Sequence, residues 1–116
     1  MKKFKLTDYI VEPKGKLAKR VIYQDENVTS FILNIYKGES LPSHTHFDCT
    51  MLLQVIQGRA NLSINNKTSS IRKNDLIQIT GSESMSIENI GAQTLILYIT
   101  TSPSSPSDKY SVNVDL

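Results

Sequence analysis

No segment of this chain keeps a helical period over three turns, whereas a period of two recurs throughout it. Phe31, Leu33 and Ile35 alternate with Ile32, Asn34 and Tyr36, so one face of that run is purely apolar. Ala60, Leu62 and Ile64 alternate in the same way with Asn61, Ser63 and Asn65. Successive side chains of an extended backbone point to opposite faces, so this pattern predicts half-buried β-strands. Runs rich in β-branched, aromatic and aliphatic residues add strands at 21–23, 28–36, 51–57, 60–64, 70–72, 76–80, 85–88 and 93–100. The gaps between them hold turn chemistry: Asp25-Glu26-Asn27, Asn65-Asn66-Lys67, Asn74-Asp75, Gly81-Ser82 and Asn89-Ile90-Gly91.

About nine short, evenly spaced strands predict an all-β sandwich or barrel. Residues 1–18 mix charges around Pro13 and Gly15 without a sustained period and are read as an N-terminal arm. The barrel is expected over 19–101. Residues 102–116 then hold a Ser/Pro-rich break and a last strand, 110–114, that packs on the barrel or on a partner chain.

Composition narrows the class. At 116 residues with 39% hydrophobic content the chain can bury one core but not two. Lys2, Lys3, Lys5, Lys14, Lys16, Lys19 and Arg20 crowd the start, and no basic stripe interleaved with aromatics follows. That distribution describes a solvated basic terminus and argues against a nucleic-acid partner. The single cysteine, Cys49, cannot close an intramolecular disulfide. Neither a signal-peptide apolar region nor a membrane-length apolar run is present in the sequence, which predicts a cytoplasmic protein with no membrane partner.

The candidate chemistry lies in Gly38-Glu39-Ser40-Leu41-Pro42-Ser43-His44-Thr45-His46, which contains both histidines. If extended, it sends both imidazoles to one face, where they can grip a metal ion or an anionic ligand. Met51 shares parity with Leu53 and Val55, and Met85 with Ile87, so both methionines are expected to face inward. Asp48 and Cys49 sit in the loop between the histidines and Met51, with Cys49 at the parity of Met51.

These residues resemble the cupin superfamily, whose first motif is Gly, five residues, His-x-His, three or four residues, Glu, six residues, Gly. Gly38, His44, His46 and Gly58 fall on it in register, with Met51 at the Glu position. Of the second motif only the closing Asn89 is kept, and Met85 stands where that motif has its histidine. The resemblance implies a single-domain jelly-roll β-barrel, a cupin-like double-stranded β-helix. It also implies a metal site of manganese, iron, nickel or zinc built on His44 and His46. Half of that ligand set is replaced by thioethers, which are soft, neutral donors. Three readings stay open: a copper(I) site of His44, His46, Met51 and Met85; a weaker divalent site completed by water or ligand; and a metal-free pocket whose sulfurs are apolar filling.

The expected function is a binding module, non-catalytic or sensory. It would take a metal or small molecule between His44 and His46 in a pocket of Phe31, Leu33, Asp48, Cys49, Leu53 and Val55, with Met51 and Met85. The alternatives are a metal-dependent enzyme of dioxygenase or isomerase type, or a metal-free epimerase using a histidine base, with Asp48 completing the metal sphere or orienting the base. Cupin-like association through sheets or terminal strands implies a homodimer.

Overall fold

A computed structural model describes residues 1–45, 48–104 and 112–116. Ten strands form among them: β1 (Leu17–Gln24), β2 (Thr29–Ile35), β3 (Ser40–His44), β4 (Thr50–Gln57), β5 (Arg59–Ile64), β6 (Lys67–Arg72), β7 (Leu76–Thr80), β8 (Met85–Asn89), β9 (Leu95–Ser102) and β10 (Val114–Asp115). They pair antiparallel in two sheets, a six-stranded one ordered β10-β1-β2-β9-β4-β7 and a four-stranded one ordered β3-β8-β5-β6. The inner faces meet in one apolar cluster to which β4 gives Met51, Leu53 and Val55, β8 gives Met85 and Ile87, and β9 gives Leu95, Leu97 and Ile99. On β4 the intervening Leu52 and Gln54 are exposed, which is the alternation a sheet with one buried face requires. Among the described residues no helix is long and apolar enough to cross a membrane.

Local chemistry fixes the corners. Asn65 and Asn66 join β5 to β6 with φ of 48° and 68°, the two left-handed residues that a tight hairpin matched to sheet twist demands. Gly58 turns β4 into β5 at φ 96°, where a Cβ would lie 3.2 Å from the Leu95 Cα. Asn89 clasps the end of β8: its amide donates to the carbonyls of Ile35 (3.0 Å) and Gln93 (2.9 Å), and its oxygen accepts from Gly91 N (2.9 Å). The asparagine that closes the degenerate second motif is therefore a fully bonded strand-end anchor.

Three boundaries differ from those expected. The first strand starts at Leu17 rather than Val21, because Leu17, Ala18 and Lys19 are already buried. β6 begins at Lys67 rather than 70, since its exposed first half pairs with β5 through the backbone and leaves no apolar trace in the sequence. The terminal strand falls at Val114–Asp115 instead of 110–114, and residues 105–111 lie outside the described set. It pairs within its own barrel, with Lys19 opposite Val114 and Ala18 opposite Asp115, and Arg20 holds the Asp115 carboxylate at 2.9 Å.

The arm is not loose. After a 3₁₀ turn at Leu6–Tyr9 it crosses the outer face of β2, where Asn34 is wholly buried. The Asn34 amide donates to Tyr9 O (3.2 Å) and Ala18 O (3.0 Å), and its oxygen accepts from Val11 N (3.3 Å). Thr94 bonds Glu12 at 2.7 Å beside it. So β2 is buried on both faces, and its outward Ile32 packs as completely as its inward Leu33.

Candidate functional site

Between the two sheets lies a cavity of about 460 Å³. Its walls come from Leu17 and Lys19 of β1, Phe31 and Leu33 of β2, Leu41 to His44 of β3, Met51, Met85, Ile99, Val114 of β10 and Leu116 just after it. Alternation explains this cast: Leu17 pairs with Ile35, Lys19 with Leu33 and Val21 with Phe31, so all these positions share the inner face.

His44 reaches the cavity from the end of β3, opposite Met85 of β8, after an irregularity in register between Leu41 and His44. Its Nδ1 lies 2.8 Å from Pro42 O. A carbonyl can only accept, so Nδ1 carries a proton in this contact. Ser43, beside it, shares a 2.6 Å hydroxyl contact with Ser84 that ties β3 to the loop before β8. His46, the second histidine of the motif, lies outside the described residues.

Met51 and Met85 are 2% and 1% exposed and contribute both to the cavity wall and to the core cluster. Phe31 and Leu33 line the cavity as expected from their parity. Leu53 and Val55 do not line it; they are buried in the cluster. Asp48 and Cys49 are also absent from its wall and flank a separate cleft of about 310 Å³ with Thr50, Gly81, Ser82 and Pro103. Cys49 keeps the parity of Met51, both buried with Thr50 exposed between them, but it lies beyond the end of β4, after the left-handed Asp48 (φ 60°), and borders this second cleft instead. Burial, and secondarily the charge of Asp48, raises the Cys49 thiol above its ordinary pKa, the opposite of an activated thiolate.

Among the described residues no three imidazole, thiol or carboxyl groups converge as a metal cluster. Among the described residues the donors bordering the cavity include the His44 imidazole and the Met51 and Met85 thioethers, and a thioether is a soft, neutral ligand.

The polar group that sequence reasoning missed is Lys19. Counted with the basic terminus, it is in fact 8% exposed, with its ammonium 4.5 Å from the centre of the Phe31 ring. Burial lowers its pKa from 10.5 to about 8. The signal was present: Leu17, Lys19 and Val21 alternate with Ala18, Arg20 and Ile22, and a strand begun at Leu17 puts Lys19 inside.

No family model matches the chain, and no curated protein matches it in sequence. Solved structures do match it in shape. A conserved protein with a double-stranded β-helix domain from Klebsiella pneumoniae superposes with a TM-score of 0.84 at 17% identity, covering 92% of this chain and 94% of its own. The cupin domain of Cnp3 from Schizosaccharomyces pombe gives 0.79 at 19% identity, covering 94% and 79%. An RmlC-like cupin from Desulfovibrio desulfuricans gives 0.78 at 14% identity, covering 89% and 97%. Strand order and these neighbours define a double-stranded β-helix. The chain has the cupin fold, as its first motif implied.

Proposed function

We propose that this small cupin domain is a non-catalytic binding module that encloses a small, largely apolar molecule in the barrel. The observation that carries this reading is the 460 Å³ cavity, whose wall is aliphatic, aromatic and thioether except for a few polar groups, chiefly His44 and Lys19. Cavities of this size and make-up are the usual form of small-molecule sites, with the apolar body buried and a few polar groups setting orientation. Titration with 1-octanol, a neutral apolar probe, is the direct test. Saturable binding by calorimetry is expected, weakened by Leu41→Trp, which fills the cavity from a half-buried wall position. No binding to the native protein, or equal binding to the filled variant, refutes the reading.

The fixed orientation of His44 supports a second reading. A ring that donates Nδ1–H to a backbone carbonyl has its orientation set by that bond, as metal-binding histidines do. With Met51 and Met85 on the same cavity, and His46 two residues along, the donor set suits copper(I). Stoichiometric copper(I), lost in His44→Ala and in Met51→Leu/Met85→Leu, is the expected result; binding that survives both variants removes it.

A further inference from the structure

The geometry points to residues 113–116, the strap that carries β10, as the gate of the cavity: a ligand enters and leaves between β10 and β3 when the strap lifts from β1. The inference rests on the binding reading above and names how access to that site is controlled.

Alternation along the strap places Val114 and Leu116 in the cavity wall and turns Asp115 outward to Arg20. β10 ends one edge of the six-stranded sheet and β3 one edge of the four-stranded sheet, yet both line the same cavity, so these two edges meet across the seam between the sheets. Among the described residues, every hydrogen bond of the strap runs to the β1 side. Leu116 N donates to Leu17 O (2.9 Å), and Leu116 O accepts from Lys16 N (2.6 Å) and Leu17 N (3.3 Å). Asn113 Oδ1 accepts from Val21 N (2.8 Å), and Arg20 donates to Val114 O (3.4 Å). Lifting the strap therefore breaks one short ladder and one exposed ion pair, and no sheet bond closes the seam behind it. The rest of the described wall stands on longer ladders. β10 is two residues long, and Leu116 is still 66% exposed although it borders the cavity. A short terminal element with so little burial is the kind that opens locally while the core stays folded.

Gly15 shows how closely the strap must seat. A Cβ there would collide with the Leu116 carbonyl oxygen, although the Gly15 φ is not left-handed and alanine can adopt it. Glycine at this position serves the approach of the strap rather than a turn of its own.

Methyl NMR of the full chain titrated with 1-octanol reads the gate, because the Met51 and Met85 methyls line the cavity. Line shapes give the dissociation rate, and the calorimetric Kd converts it to an association rate. Gly15→Ala pushes the strap off its seat and Asn113→Ala removes its bond to Val21, and neither residue belongs to the cavity wall. Binding that waits for a conformational step is slowed by it, so both variants should associate at least about fivefold faster than the native protein, the shift in opening from one lost hydrogen bond. Ser63→Ala removes an exposed bond to Thr68 in the β5–β6 hairpin and should keep the native association rate. Should Gly15→Ala fail to fold, the exposed Asn113→Ala decides alone. Association unchanged in Asn113→Ala, or equally faster in Ser63→Ala, overturns the gate and leaves the binding module intact. Absence of 1-octanol binding overturns both.

Discussion

Lys19→Met should make the protein more stable, although it removes a cation–π contact and touches an inner wall. Burial moves the Lys19 amine from 10.5 to about 8, so the folded state holds the proton less firmly than the unfolded state does. At about 1.36 kcal/mol per pKa unit, the penalty for keeping the charge has a ceiling of about 3 kcal/mol. The Phe31 ring and the solvent that reaches the cavity return part of it, leaving about 2 kcal/mol. Below pH 8 both states are charged and the whole penalty applies. Between about 8 and 10.5 the folded amine is neutral while the unfolded one still holds its proton, so the unfolded state binds more protons and stability rises with pH. Methionine keeps the length of the side chain without the charge. Urea unfolding at pH 7 should therefore place Lys19→Met about 2 kcal/mol above the native protein, a rise of roughly 8 °C in Tm for a domain of this size. By pH 10 most of that gap should close, and tyrosines and surface lysines cancel because both proteins carry them. A variant no more stable than the native protein at pH 7, or a gap unchanged between pH 7 and pH 10, would refute the account of Lys19 as a desolvated cation.

Asn34→Ala strips three hydrogen bonds from a fully buried site and leaves Tyr9 O and Val11 N to find new partners, so it should cost about 3 kcal/mol in urea unfolding. The same variant should free the arm, read as faster amide exchange at Val11 than in the native protein; unchanged protection there would show that the arm is held by other contacts. Cys49, buried and with its thiol pKa raised, should react with an aromatic disulfide reagent at pH 7 at least about tenfold more slowly in the folded protein than in urea. Equal rates would mean that the loop around Asp48 opens freely.

How far the sequence revealed all this depends on where alternation holds. Inside strands it is reliable: Met51, Leu53 and Val55, or Ala60 and Leu62, point inward as their spacing says, and the cupin fold follows from them together with Gly38, His44 and Gly58. Past the strand end it still gives the face but not the site: Cys49 is buried in step with Met51, yet with Asp48 it borders another cleft. Charge misleads in a different way. Lys19 stands in a basic run whose pattern predicts a solvated terminus, yet pairing of β1 on both sides carries it indoors. Asn34 was hidden for a related reason, since a polar residue at an outward position gives no sign that another segment will cover it. Leu53 and Val55 show a limit of parity itself, which says which face a side chain takes but not whether that part of the face borders a void.

The pairing of β1 with β10 sets an order of events during synthesis. Arg20 reaches the Val114 carbonyl across 94 residues of sequence, and Lys19 lies opposite Val114 in the same ladder. At roughly 5–20 residues per second, β1 waits some 5–20 s on the ribosome before its outer neighbour exists. During that interval its edge is unpaired and the wall that Val114 and Leu116 supply is missing, so Lys19 still meets water. The wall around the cation is thus complete only when Val114 and Leu116 take their places.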